Sequence, residues 1–187
     1  MSDNIFFNKG DLKSCGENVI IGKTVRIRYP ELVEIGDNVI IDDFTYISTS
    51  LKINNYVHIS AGCKFIGGRN SLIEMKDFST CAPNVVLASG SDDYTSGIAT
   101  PLVPDEFKGK LERGDIIIGK HSIVGANSCV MPNVTFADGS SLGAISLAKE
   151  DLDPWSLYAG VPARFLKLRN KDKIIELESL YFEKNEK

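Results

Sequence analysis

The chain has 187 residues, enough for one domain with a sizeable core. Apolar residues make up 43% and charged residues 25%, an ordinary soluble-globular balance. A net charge of -4 and a pI near 5.3 argue against nucleic acid or an anionic membrane surface as the main partner.

The N-terminus, Met1-Ser2-Asp3-Asn4-Ile5-Phe6-Phe7-Asn8-Lys9, lacks the basic start and apolar run of a signal peptide. No stretch approaches the roughly 18 apolar residues of a membrane span. Cys15, Cys63, Cys81 and Cys129 show no CxxC pairing and read as reduced thiols, three of them built into a repeat. A cytoplasmic location is expected.

The segment Val19-Ile20-Ile21-Gly22-Lys23-Thr24-Val25-Arg26-Ile27 opens the pattern as an imperfect first coil. From Ile35 the chain steps by six: Ile35, Ile41, Ile47, Ile53, Ile59, Phe65. The count slips by four at Gly67-Gly68-Arg69-Asn70 and resumes at Met75, Cys81 and Leu87. After an interruption it returns at Ile118, Val124, Val130, Phe136, Leu142 and Ala148. All fifteen positions are apolar. Four residues after these anchors stand Val39, Thr45, Leu51, Val57, Cys63, Ser79, Val85, Ser122, Ser128, Val134, Ser140 and Ser146, all but Leu51 small or β-branched.

A period of six is neither helical nor simple strand alternation. It predicts an all-β solenoid, a left-handed parallel β-helix in which three hexads make an 18-residue coil and coils stack about 4.8 Å apart. The large residue fills the prism and the small one lets the backbone turn.

Between Leu87 and Ile118 the spacing is 31 where six would serve, so about 25 residues must leave the prism. Such an insertion in a compact solenoid is usually functional or disordered. The expected layout is therefore one domain, with coils over residues 19–87 and 116–150, a protruding loop over 88–115, and a C-terminal segment over 151–187. Within that last segment, Ile174, Ile175, Leu177, Leu180 and Tyr181 fall on one side of a short amphipathic helix over 171–182.

Two stretches carry a resemblance. Ile118-Gly119-Lys120-His121-Ser122-Ile123-Val124-Gly125-Ala126-Asn127-Ser128 and Ser141-Leu142-Gly143-Ala144-Ile145-Ser146 resemble the terminal coils of hexapeptide-repeat acyltransferases. Tyr158-Ala159-Gly160-Val161-Pro162-Ala163-Arg164 resembles that family's AGVPA-R ending. The nearest likeness is to galactoside- and maltose-type acetyltransferases and to enzymes that acetylate sugars of lipopolysaccharide, O-antigen or capsule. The resemblance implies acetyl-CoA as co-substrate, a sugar or nucleotide-sugar acceptor, and a homotrimer with active sites between neighbouring prisms. It implies no metal. Carried over by position, Ala126, Ala144 and Lys149 would line the pantetheine arm, and Arg164 and Lys167 would sit near the CoA phosphates. The two alanines read equally as corner packing, and the two cations as solvated tail charges.

The loop departs from the galactoside pattern. Ala88-Ser89-Gly90-Ser91-Asp92-Asp93-Tyr94-Thr95-Ser96-Gly97 holds no histidine, and Ile123 stands where a tryptophan is expected. Acyl transfer needs an aligned acceptor, a donor facing the oxyanion and a home for the acceptor proton. An alcohol demands a tuned base and an amine demands less, so the missing histidine fits an amino sugar more easily. His121 is a candidate base beside Ile123, or a surface corner residue. Asp92 and Asp93 lie where the loop base would be, or cap a turn. Tyr94 in the same loop is a candidate acceptor contact; His58 is another, or a residue with a structural hydrogen bond. Hexad counting places His58, Thr80 and Ile123 in one outward column, with His58 about 10 Å from Ile123.

Two histidines cannot supply the three-histidine zinc site of γ-class carbonic anhydrases, which share the prism. At 187 residues, with no Gly-rich nucleotide-binding segment ahead of the repeat, a nucleotidyltransferase fusion is not expected. A non-catalytic β-helix scaffold is the alternative from another class; it explains the missing histidine but not the long loop together with the AGVPA-R ending.

Overall fold

A computed structural model describes residues 4–185 as a triangular prism of parallel coils. The first face holds Val33–Ile35, Ile116–Ile118 and Thr135–Phe136, together with residues 51–53 and 73–75 of two longer strands. The second face stacks Ile20–Ile21, Ile40–Ile41, His58–Ile59, Thr80–Cys81, Ile123–Val124, Ser141–Leu142 and Ser156–Ala159, and Arg164–Leu168 returns antiparallel along its edge. The third face stacks Arg26–Ile27, residues 46–47 and 64–66, Val86–Ala88, Cys129–Val130 and Leu147–Ala148.

The inward positions are those of the hexads. All fifteen anchors are buried, none more than 3% exposed, and the twelve companions four residues on are buried as well. Burial at this level gives about 1.5–3 kcal/mol for each large aliphatic side chain. The small companions include Ser122, Ser128, Ser140 and Ser146, whose hydroxyls need partners inside the prism. Ser128 Oγ donates to the Gly143 carbonyl and accepts from the Ser146 amide, so these serines tie one coil to the next.

Three features go beyond the hexad count. Pairing begins at Ser14–Cys15 against residues 34–35, ahead of Val19, because Cys15, Ile21 and Ile27 keep a six-residue step of their own, offset by two residues from Ile35 across the Pro30–Leu32 turn. The slip at Gly67-Gly68-Arg69-Asn70 falls within one long strand, Lys64–Met75, which runs through a corner beside Tyr46–Ile53 with its register shifted. The C-terminal strand Arg164–Leu168 carries no hexad signal, since it pairs antiparallel and all five residues are exposed.

Two prism edges turn by single residues in the left-handed conformation. On one edge these are Asn18, Asn38, Tyr56, Phe78, His121, Gly139 and Trp155; on the other they are Phe44, Gly62, Asn84, Asn127, Ile145 and Gly160. Asparagine and glycine tolerate this region; aromatic and β-branched residues do so at a cost. On the first edge packing offsets that cost. Tyr56 and Phe78 stack at 4.7 Å, Phe78 and His121 at 5.1 Å, and Trp155 follows at 6.1 Å.

The C-terminal helix, Lys171–Asn185, closes over that aromatic column. Tyr181 and Phe182 meet Tyr56 and Phe78 edge-on. Glu178 binds Lys120 through one carboxylate oxygen and His121 Nε2 through the other, the latter at 2.8 Å. Burial pushes the Glu178 carboxyl up, but the hydrogen bonds from Lys120 and His121 outweigh it and hold the group below its ordinary value.

A carboxyl held below its unfolded value stabilises the fold above that value and stops doing so as pH falls through the lowered one. Glu178→Gln is therefore expected to lower the melting temperature at pH 7. The gap from the parent should narrow as pH falls below the ordinary glutamate value of 4.5, which paired thermal melts from pH 7 to 3 will read. In the core, Phe65→Ala at a fully buried anchor is expected to cost about 3–5 kcal/mol, measured by denaturant unfolding.

Candidate active site

The residues between Ala88 and Ile116 leave the third edge as a structured arm. Its two ends meet where Gly114 N donates to Ser89 O at 3.0 Å, and Gly90–Ser91 pairs antiparallel with Glu112–Arg113. The root rests on a buried hydroxyl cluster: Ser71 and Ser89 Oγ are 2.9 Å apart, and Thr49 Oγ1 lies 3.2 Å from each. Further out, Gly97 passes so close to Lys108 that a Cβ there would lie 1.9 Å from the Lys108 carbonyl oxygen, which no side chain allows.

Asp93 fastens this arm. One carboxylate oxygen accepts from the Thr95 amide and hydroxyl, both at 2.9 Å, and from the Ser96 amide; the other accepts from Lys110 N across the arm at 3.1 Å. These hydrogen bonds, led by the Thr95 and Lys110 amides, hold its carboxyl down at about 2. A carboxylate that weakly basic, with its lone pairs already engaged, is a poor proton acceptor near neutral pH. Asp92 differs. It is exposed, and its carboxylate meets no hydrogen-bond partner among the described residues.

Beneath the arm lies a cleft of about 550 Å³ lined by Asp92, Asp93, Tyr94, Lys110, Glu112, Met131, Leu147 and Lys149, among others. Four sequence-derived candidates, Asp92, Asp93, Tyr94 and Lys149, thus come together. Lys149 also lines a neighbouring cavity of about 160 Å³ with Tyr158, Pro162, Ala163 and Arg164. The path from the arm therefore continues to Arg164. Ala126 and Ala144 lie on the uncovered edge, each one residue before a left-handed corner residue, Asn127 and Ile145.

The other candidates lie elsewhere. Lys167 lines a separate groove of about 600 Å³ on the second face, with Ile123, Ser141 and Leu157. His58, Thr80 and Ile123 stand in register on that face, as hexad counting placed them. There His58 Nε2 pairs with Asp42 Oδ2 at 2.9 Å, both half-exposed. His121 sits on the helix-covered edge, its side chain only 10% exposed between Phe78 and Trp155 and bonded to Glu178. Sequence reasoning passed over Lys110, Glu112, Met131 and Leu147. The polar run that closes the arm was a signal for the first two, because two ends of one insertion must return to one place.

A hexad prism with a fastened arm over one face, and cations along its last coils, is the architecture of a CoA-dependent acyltransferase. The chain belongs to the hexapeptide-repeat sugar acyltransferase family and is an enzyme that uses acyl-CoA. It is 34% identical over 184 residues to dTDP-4-amino-4,6-dideoxy-D-glucose acyltransferase of Escherichia coli, 96% of this chain and 93% of that one. It is 29% identical over 127 residues to the putative lipopolysaccharide biosynthesis O-acetyl transferase WbbJ of Escherichia coli K12, 68% of this chain and 62% of that one. AntD, an N-acyltransferase from Bacillus cereus solved with dTDP and 3-hydroxybutyryl-CoA, matches with a TM-score of 0.91 at 36% identity, over 98% of this chain and 100% of that one. A variant of AntD has been solved with dTDP-4-amino-4,6-dideoxyglucose and coenzyme A. No family model matches the chain. Among the described residues no cluster of His, Cys, Asp and Glu could hold a metal, and no helix is long and apolar enough to cross a membrane.

Asp93→Ala removes the arm's fastening without touching the prism. Cleavage by a non-specific protease within residues 92–112 is expected to accelerate at pH 7, while the melting temperature of the coils stays close to that of the parent.

Proposed function

We propose that this enzyme transfers an acyl group from acyl-CoA to the amino group of a nucleotide-linked amino sugar, in the building of a cell-surface polysaccharide. The observation that carries the reading is the arm cleft: it holds a free carboxylate, Asp92, beside Tyr94 and Lys149, and no histidine. The 34% identical relative named for a dTDP-amino sugar, and AntD with its dTDP-amino sugar complex, support the acceptor class. The likeness to WbbJ supports the polysaccharide context.

In this reading the pantetheine arm runs past Ala126 and Ala144, whose small side chains admit close approach to backbone amides. Lys149 and Arg164 meet the charged part of CoA. The neutral amine attacks the thioester carbonyl carbon; a C–N bond forms as the C–S bond breaks, and the thiolate leaves. Asp92 orients the incoming ammonium and takes its first proton, and the proton lost from nitrogen after attack goes to the CoA sulfur. Tyr94, at the cleft mouth, contacts the sugar, and Asp93 keeps the arm in place. His121 and Glu178 anchor the C-terminal helix, while His58 with Asp42 lies on the second face, where a neighbouring subunit would pack in a homotrimer. Acyl-CoA and nucleotide sugars are cytoplasmic metabolites, which supports a cytoplasmic enzyme.

The assay is thiol release from acetyl-CoA and 3-hydroxybutyryl-CoA, with hydroxyl sugars, free amino sugars and dTDP-linked amino sugars as acceptors. Turnover is expected with the amino acceptors and fastest with the nucleotide-linked ones. Failure to bind CoA, or acylation of hydroxyl sugars alone, overturns the proposal. Asp92→Asn is expected to lower kcat at least about tenfold, with CoA affinity unchanged. His121→Ala should change the melting temperature more than kcat.

A further inference from the structure

Of the three carboxylates that line the arm cleft, one has no role so far. Asp93 fastens the arm, its lone pairs taken by the Thr95, Ser96 and Lys110 amides and the Thr95 hydroxyl. Asp92 receives a proton in the reading above. Glu112 does neither, yet it lines the same cavity of about 550 Å³. It also lines a second cavity of about 180 Å³ at the arm root, with Gly67, Gly90 and Arg113 among others. Ser91, Asp92 and Glu112 border both spaces, so the end of the arm's two-stranded ladder is the wall between them.

The coil beneath holds that wall in place. Glu112 pairs with Ser91 across the antiparallel ladder, and Asp92 follows Ser91 directly. Ser89 N and Oγ both donate to the Ile66 carbonyl, at 2.7 and 3.0 Å, and Gly114 N closes the ladder on Ser89 O. Gly67 makes room for this contact, since a Cβ there would fall 2.0 Å from Ser89 Oγ. The glycine-rich slip in the hexad count therefore serves this place. It lets the ladder end come down onto the prism and leaves the two acids bordering open space on either side.

The charges at this wall are not balanced from within. Asp92 and Glu112 are both exposed, and neither carboxylate accepts a hydrogen bond or forms an ion pair among the described residues. Lys110 and Lys149 line the larger cavity and Arg113 the smaller, but none of the three pairs with either acid. Two like charges held at one place repel each other and gain no internal bond in return. A cation seated between them is attracted by both, whereas a neutral hydroxyl gains nothing from either charge.

We propose that Glu112 is the residue that selects an amine over a hydroxyl. The protonated amino group of the acceptor rests between Asp92 and Glu112. Asp92 takes its proton, while Glu112 stays ionised and accepts a second N–H, which aims the nitrogen at the thioester carbonyl. Glu112 thus acts on acceptor binding and Asp92 on turnover. The inference rests on the amino-sugar reading above and adds the group that tells the two acceptor chemistries apart.

Steady-state kinetics on the full chain test the assignment, with acetyl-CoA and a dTDP-linked amino sugar as substrates. The matching dTDP sugar, with a hydroxyl in place of the amine, serves as inhibitor. Glu112→Gln keeps the size of the side chain and removes its charge. The native carboxylate is exposed and unbonded, so the variant should melt with the parent. Loss of one charge-assisted hydrogen bond at an exposed position implies about a five- to thirtyfold higher KM for the amino acceptor. A contact made equally before and during reaction leaves kcat within about twofold, and the KM for acetyl-CoA should stay with it. The hydroxyl analogue should inhibit parent and variant equally. Glu112→Asp, which retains the charge, should recover part of the loss. Added salt should raise the amino-acceptor KM more steeply in the parent than in Glu112→Gln. An unchanged KM for the amino acceptor overturns the assignment, as does an equal loss for the hydroxyl analogue or a fall in kcat with KM unmoved. In each of these cases a parent that turns over amino sugars keeps the acyl-transfer reading, and only the role of Glu112 falls. A parent that releases thiol with no amino acceptor removes that reading itself.

Discussion

The cross-section of the prism cannot change from coil to coil, and nearly everything else follows from that. Parallel strands must stay in register at about 4.8 Å along the axis, so each coil has to offer one bulky and one small inward side chain at the same places as its neighbours. Ile41, Ile59, Cys81, Val124 and Leu142 occupy one such inward row, all buried. Outward positions are released from this demand, and they form straight columns whose chemistry can differ from face to face. The third face uses this freedom to place cations at one end and apolar groups at the other, and the second face to carry the His58–Asp42 pair.

The same constraint decides what was legible in the sequence. Inward positions obey a six-residue rule, so the burial of Phe65 or Phe136 can be counted without a structure. The column of His58, Thr80 and Ile123 was countable for the same reason. Contacts made outside the rule were not. Nothing in the spacing announces that Glu178, from a helix 57 residues away, binds His121, or that Asp93 spans the arm to the Lys110 amide. A corner residue beside Ile123 invites a catalytic reading. Only the helix position and the stacked Phe78 reveal that its imidazole faces a packed edge. Asp92 and Asp93, adjacent and identical in sequence, separate entirely once the carboxylate of one is tied into four hydrogen bonds and that of the other meets none among the described residues.

The two left-handed edges carry a further contrast. Both bend through residues that are strained unless they are glycine or asparagine. One edge recovers the cost through a column of rings closed by a helix, which fixes the C-terminus to the prism. The other has no helix over it and is covered only at its first coil, where Asn4 and Ile5 hydrogen-bond to the Gly22–Val25 corner. Equivalent edges of one repeat thus end up with different surroundings.

The meeting of the arm's two ends at the Ser89–Gly114 hydrogen bond has an evolutionary consequence. Leu87 and Ile118 return to inward rows of their faces as if nothing had intervened, so the coils register neither the length nor the content of what lies between them. The entropy of closing such an excursion rises only slowly with its length. Residues 90–113 can therefore be lengthened, shortened or replaced wholesale while the solenoid stays intact. A lineage built on this prism is free to exchange the arm as a single cassette, and a grafted arm from a relative is the natural unit to swap.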